Sequence, residues 1–529
     1  MQIIRALFIL SFLLLCWGTL FLTISFFINK QTTPKEFSFI FFSAAILIVF
    51  IFSSIRRYKI KKWMNNLIFS FGLIITILCF VQALYGIMQY VHIFSAYERF
   101  KLTGSFDNPA GFAASLCAGF PFFFYFLSIK KYKICYASLC GIMTVGLAIL
   151  LSGSRTGILT MAIVCVSMFF YKLSIKKMYK IIVTGFLAAL IIGLYFVNKD
   201  SANGRLLIWQ CSWEMIKDRP FMGHGPDGFR AGYMDYQARY FEKYPNSKYV
   251  MLADNTNRPF NEYIELLVNY GLFGLSLFLL IVYLLIRVYK RNMHKKPQFT
   301  LYIACQCLIA IAVFAFFSYP FRYPFVWVIG LLSCSIILFQ RNEYIYILLP
   351  RRYCLSVLLI VFVLAIFGKN YNRFLAEIKW SMIARKSMLG QTEEMLPEYR
   401  LLYSKMHNNV SFLYNYAAEL NFAKHYEESL LIASECKVFW ADYDLQLLMA
   451  DNYLQLKNYT QAERYYLKAA AMCPAKFMPL YKLFQLYKIT DKKAHTHRIA
   501  ITITNKPVKV MSPTVSRIKN EVKQELSRL

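Results

Sequence analysis

The sequence predicts an all-α fold: a polytopic membrane bundle of about eleven spanning helices, followed by an extracytoplasmic domain of repeated helices. Three observations predict it. First, 58% of the 529 residues are hydrophobic and only 17% are charged, against about 25% charge in soluble domains. A water-soluble globule of this size needs more polar surface, and a disordered chain needs fewer apolar residues. Second, the apolar residues gather in runs of about 20, the length that crosses a hydrocarbon core. Third, from about residue 408 the composition turns soluble and a helical repeat begins.

The runs lie near 5–27, 37–55, 64–84, 110–129, 134–152, 157–171, 181–198, 263–286, 300–318, 323–340 and 354–368. The first is too long for a signal-peptide core and lacks a small-residue cleavage site. Lys and Arg exceed Asp and Glu by 60 to 28, a net charge of +32. In a soluble protein that excess would suggest nucleic acid. Here the positions argue otherwise, and no nucleic-acid partner is expected. Basic residues fill every second loop, at Arg56–Lys62, Lys130–Lys133, Lys172–Lys180, Arg287–Lys296 and Arg341–Arg352. Basic loops stay cytoplasmic beside anionic lipid. The N-terminus is then inside, and eleven spans put the C-terminal region outside. The expected division is a transmembrane domain over 1–368, with a large outer loop at 199–262, and an extracytoplasmic helical domain over 369–529. The inward loops are too short to hold a nucleotide-binding domain, so any chemistry is expected at the outer face.

The 13 cysteines fall mostly in apolar runs and form no CxxC pair. They read as small hydrophobes, and no metal site is expected. In the C-terminal region Ala417, Tyr426 and Ser429 recur as Ala450, Tyr459 and Ala462, 33 residues on. The stretch Tyr453–Ala462 resembles the middle of a tetratricopeptide repeat, whose period is about 34. Such an array could dock a protein partner or acceptor, or it could pack on its own chain.

Gly223-His-Gly-Pro-Asp-Gly228 fits GxGxxG, but a dinucleotide site needs a preceding strand. Here Leu206, Trp209, Trp213 and Ile216 predict an amphipathic helix on the outer membrane surface, opened by Arg205 and stopped by Pro220. Arginines at the outer face are the sharper signal. Arg155, Arg205, Arg258 and Arg322 come from separate segments, on the side that is otherwise not basic. A lone boundary arginine is usually an interfacial anchor. Four suit a lipid diphosphate, because guanidinium forks bind phosphate oxygens bidentately.

Several segments then resemble the O-antigen ligase family, in a superfamily with O-antigen polymerases and bacterial O-linked oligosaccharyltransferases. These are Gln82–Gln89, Gly104-Ser-Phe-Asp-Asn-Pro-Ala-Gly-Phe-Ala113, Ser152-Gly-Ser-Arg-Thr-Gly157, Arg205–Trp209 with Asp218–Phe229, and Asn261-Glu-Tyr-Ile-Glu-Leu-Leu-Val-Asn-Tyr-Gly271. The resemblance covers about 80–340. It implies a metal-independent, inverting transferase in the bacterial inner membrane that uses no cofactor. The donor would be an undecaprenyl-diphosphate-linked glycan. The acceptor would be a hydroxyl of lipid A core or of a protein, with membrane lipids around the site and the C-terminal domain in the periplasm.

The family's outer loop usually ends in a histidine before Asn-Glu-Tyr. This chain has Arg258-Pro-Phe-Asn261-Glu262 there, so no catalytic histidine carries over. The remaining base candidates are Glu262, Asp254, Asp227 and His224. His224 also reads as a locally bonded turn residue, and Glu262 as an ion-pair partner of Arg258 or Arg155. The expected catalytic set is Arg155, Arg205, Arg258, Glu262 and His224. The expected substrate-binding set is Arg322, Asn108, Asn261 and Trp209. The leading function is O-antigen ligation to lipid A core. Protein oligosaccharyl transfer and O-antigen polymerisation stand beside it. A non-catalytic scaffold or a transporter is the competing class, but the spans carry almost no charge, which a transporter would need near the midplane.

Overall fold

The structure is a computed structural model. It describes residues 60–95, 100–129, 131–172, 199–295, 298–339 and 375–527, with isolated helical positions at 185, 193, 196, 372 and 373. The apolar runs at 5–27, 37–55 and 354–368, and nearly all of 181–198, lie outside the described residues. The described residues form helices joined by turns and irregular segments, with no strand among them, as the composition predicts. Among the described residues five helices are long and apolar enough to cross a membrane, and two shorter apolar ones accompany them. The chain divides into two compact units.

Unit 1 comprises 1–197, 260–262 and 277–374. Its described helices are α1 (Ile60–Tyr90), α2 (Pro109–Gly119), α3 (Pro121–Leu127), α4 (Tyr132–Leu151), α5 (Arg155–Lys172), the C-terminal part of α8 (Glu262–Lys295), α9 (Phe299–Phe317) and α10 (Pro324–Phe339). The predicted run 110–129 is thus two helices, because Pro121 starts a new first turn. Helix α2 is the centre of the bundle. It is buried from Gly111 through Gly119, and its Ala113, Ala114 and Cys117 let neighbouring backbones approach closely. Around it pack Phe112, Phe122 and Phe123 with Val145, Ile149, Cys307, Phe314 and Ile329.

Unit 2 comprises 198–259, 263–276 and 375–529. It holds α6 (Lys199–Asp218), α7 (Gly228–Lys243), the first turns of α8, a helix at 375–388 and α11 (Thr392–Met406). Three antiparallel pairs follow: α12 (Val410–Phe422) with α13 (Tyr426–Phe439), α14 (Tyr443–Gln455) with α15 (Tyr459–Met472), and α16 (Met478–Ile489) with α17 (Lys493–Asn505). Helix α18 (Pro513–Leu526) ends the array. The repeat is carried in the backbone itself. Lys424, Lys457 and Asp491 all take left-handed conformations, with φ of 64°, 59° and 50°. After each, an amide closes the helix end: His425 to Leu420, Asn458 to Tyr453 and Lys492 to Tyr487, each 2.9 Å. Ala417, Ala450 and Phe484 occupy one buried register, and Ser429, Ala462 and Thr496 another.

One face of this array is covered by the chain's own helices α6 and α7. Leu207, Cys211 and Met215 of α6 and Phe229, Tyr233 and Met234 of α7 share a core with Ala441, Tyr443, Ala469 and Met472. Helix α6 therefore carries a second apolar face beside the stripe expected on the membrane surface. Leu206 and Trp213 are exposed, while Leu207, Cys211 and Met215 are buried. Arg205 lies inside the described helix Lys199–Asp218 rather than opening it. Cys211, Cys436 and Cys473 are free thiols, buried in these cores, and burial pushes each thiol up to about 12.

Candidate functional site

In unit 1 the polar groups gather at one end of the bundle. Asn108 precedes Pro109, and its Oδ1 accepts from the Gly111 amide at 2.8 Å. This is a side-chain N-cap followed by proline at the first helical position. The cap fixes the Asn108 amide, whose Nδ2 donates to Asp107 (3.1 Å), Tyr319 (3.3 Å) and Tyr323 (3.0 Å). Tyr323 in turn donates to Asp107 Oδ1 at 3.2 Å, and Arg322 pairs with Asp107 Oδ2 at 3.3 Å. Gly111 allows this approach, since a Cβ there would lie 2.3 Å from the Tyr323 ring.

Arg155 begins α5 at the same end. Ser154 caps that helix by accepting from the Gly157 amide at 3.3 Å, and Cys117 Sγ reaches the Gly157 carbonyl at 3.5 Å. The start of α5 is thereby held against α2. A cation at a helix N-terminus opposes the helix dipole, so its placement costs stability unless anionic partners or ligands offset it. Glu262 Oε1 accepts from the Phe321 amide at 3.0 Å, which ties it to the turn bearing Arg322. Asn261 is buried.

In unit 2 the loop ending in Arg258 is held by side chains. Trp209 Nε1 donates to the Pro259 carbonyl at 2.9 Å. Arg258 Nη1 donates to Glu265 Oε1 at 3.1 Å. In sequence Glu262 reads as an ion-pair partner of Arg258 or Arg155; Arg258 itself pairs with Glu265, one turn further along α8. His224 Nε2 lies 2.8 Å from the Met215 carbonyl, and its amide donates to Val268 at 2.8 Å. These contacts make it a locally bonded turn residue. Asp227 adopts φ 54° just before α7. Asp254 accepts from the Asn255 amide and lies 3.9 Å from Lys476 Nζ. Burial in α7 lowers the Arg230 guanidinium from its ordinary value.

The Gly223–Gly228 motif is a structural splint. Helix α8 is interrupted at Gly271, with φ 60° and ψ −158°. The 220–225 turn supplies what the interruption lacks: Leu272 and Phe273 donate to the Pro220 and Phe221 carbonyls at 2.8 and 3.1 Å, while His224 and Gly225 donate back to Val268 and Asn269.

Arg155 and Arg322 thus belong to unit 1, and Arg205 and Arg258 to unit 2. Sequence reasoning missed Asp107 and Glu265. Both signals were present, as an acid beside a helix cap and an acid three residues after Glu262. Among the described residues no three His, Cys, Asp or Glu side chains gather as a metal-ligand set.

Long apolar helices with capped, arginine-bearing turns at one end define a multi-pass α-helical membrane protein. Residues 139–279 match the family model described as O-antigen ligase. This segment is similar to an O-antigen ligase domain, which supports the class of lipid-linked glycan transferases. The matched segment holds Arg155, Arg205, His224, Arg258 and Glu262. It ends before the helical pairs, so their tetratricopeptide likeness stands on register alone. Comparison with curated proteins gives no match.

Proposed function

We propose that the protein moves a glycan from an undecaprenyl-diphosphate carrier onto a hydroxyl of lipid A core, at the outer face of the bacterial inner membrane. The similarity to an O-antigen ligase domain over 139–279 carries this reading, because that segment contains three of the four outward arginines. The acceptor oxygen attacks the anomeric carbon from the face opposite the leaving group. The bond to the diphosphate breaks, and its electron pair leaves on phosphate oxygen. Arg155, Arg205 and Arg258 stabilise that charge, which preorganised donors do best outside bulk water. Glu262 is the carboxylate proposed to take the acceptor proton. Arg322, Asn108, Asn261 and Trp209 form and orient the binding surroundings.

The test is transfer by purified protein given undecaprenyl-diphosphate glycan and either lipid A core or an acceptor protein. Product on lipid A core is expected. Product only on protein would make the enzyme an oligosaccharyltransferase. Guanidinium groups take the charge-neutralising role here, so turnover is expected to survive EDTA. Loss of turnover restored by a divalent cation would refute the metal-independent reading.

The outward orientation has its own test. Alternating basic loops put the C-terminal domain in the periplasm, so alkaline phosphatase fused after Leu529 should be active. A fluorescent C-terminal green fluorescent protein fusion, with an inactive phosphatase fusion, would overturn the orientation and the site with it.

A further inference from the structure

We propose that the C-terminal helical array is a clamp that sets the Arg258-bearing segment, acting through Trp440 and Asp442. The proposal rests on the reading of Arg258 as a catalytic group.

Residues 253–259 form neither helix nor strand. A segment without its own backbone ladder opens easily, yet catalysis by charge stabilisation needs its donors held in place. The array supplies the missing constraint. Alternate residues of an extended segment point the same way, and Asn255 and Asn257 both meet the turn between α13 and α14. Asn255 Nδ2 donates to Asp442 Oδ2 at 2.7 Å. Trp440 Nε1 donates to Asn257 Oδ1 at 2.8 Å. Trp209 Nε1 holds the Pro259 carbonyl on the other side. Each chain neighbour of Arg258 is therefore gripped by an indole N–H.

The grip is itself anchored. Asp442 is fully buried, and its Oδ1 accepts from the Asp444 and Leu445 amides at 2.7 and 3.2 Å, capping α14. The Trp440 ring faces the Arg230 guanidinium at 5.4 Å. Gln237 of α7 bridges the Asp254 carbonyl (3.1 Å) to the Met472 carbonyl of α15 (2.7 Å). Asn255, Asn257, Trp440 and Asp442 are positioning residues, since none needs to touch substrate. The array's role on this account is internal.

The experiment uses the full chain in lipid nanodiscs. Asn255→Asp sets a second carboxylate against Asp442, and like charges that close repel. Adding Asp442→Asn exchanges donor and acceptor across the same contact, while asparagine still caps the helix. Trp440→Phe keeps an aromatic ring at that position, smaller than the indole, and removes the N–H. Two readouts are taken: amide hydrogen exchange over 253–260, and turnover with KM. Expected are faster exchange and about tenfold lower turnover at little-changed KM in Asn255→Asp and in Trp440→Phe, with recovery of both readouts in the Asn255→Asp/Asp442→Asn chain. Unchanged exchange in folded Trp440→Phe overturns the clamp. Faster exchange with wild-type turnover overturns it also, provided that Arg258→Lys is impaired. Wild-type turnover in Arg258→Lys instead overturns the catalytic reading of Arg258, and the exchange data still decide whether the array holds the segment.

Discussion

Arg155→Lys, Arg205→Lys and Arg258→Lys are each expected to lower turnover on the order of 10²-fold, the usual cost of removing one preorganised charge-stabilising contact. Lysine keeps the positive charge and loses the planar fork that binds two phosphate oxygens at once. The ammonium reaches the same interface by extending its stem, so membrane insertion should be unchanged. At Arg258 the lysine can still pair with Glu265, which holds Arg258 Nη1 at 3.1 Å, so a loss there reports the missing fork. Arg322 is half exposed and already paired with Asp107, and Arg322→Lys should cost less. Arg287, in a basic cluster expected on the cytoplasmic side, is the control and should tolerate lysine. The measurement is turnover per correctly inserted molecule. Near-wild-type turnover in the Arg155→Lys/Arg258→Lys double variant would leave the arginines as interfacial anchors and remove the main physical support for the transferase mechanism.

What could be read from sequence followed the strength of each local signal. The described spans were legible because solvation in lipid demands long apolar runs. The helical pairs were legible because close packing demands small residues at a fixed register, at Ala417, Ala450 and Ala462. Asn108 was legible as a site residue only through family resemblance, although Asn followed by Pro at a helix start is a cap by itself. The buried face of α6 was not legible, since the helix is apolar on two sides. Leu206 and Trp213 compete there with Leu207, Cys211 and Met215, and only the partner helix decides between them. The pairing of Asp107 with Arg322 was hidden by distance along the chain. Glu262 stood as a partner for Arg258 or Arg155, and helical geometry turns Glu265 toward Arg258. The glycine motif follows a helix, as its sequence context predicts, yet its role could not be seen until the break at Gly271 was known.

That break carries the second large effect. Gly271→Ala is expected to destabilise the outer-loop unit on the order of 3 kcal/mol, combining backbone strain with a steric clash. Gly271 has φ 60° and ψ −158°, a region that only glycine occupies readily. A Cβ there would lie 2.3 Å from the Phe221 carbonyl oxygen and 2.7 Å from that of Pro220. Those two oxygens accept the amides of Leu272 and Phe273. The new methyl must therefore push away the turn that satisfies the helix break, and buried amides left without partners are costly. Two controls separate the causes. Gly225 has φ 90° with nothing within 4 Å of its Cβ position, so Gly225→Ala carries backbone strain alone and should cost about 1 kcal/mol. Gly146 lies within α4, where its Cβ would meet only Met161 Sδ at 3.6 Å, and Gly146→Ala should be near neutral. Thermal unfolding of the detergent-solubilised chain, with limited proteolysis of 198–276, reads all three. If Gly271→Ala melted no earlier than Gly146→Ala, the splint between 220–225 and the α8 break would not be a stabilising contact. The loop bearing Arg258 would then owe its position to the helical array, to Trp209 and to Glu265.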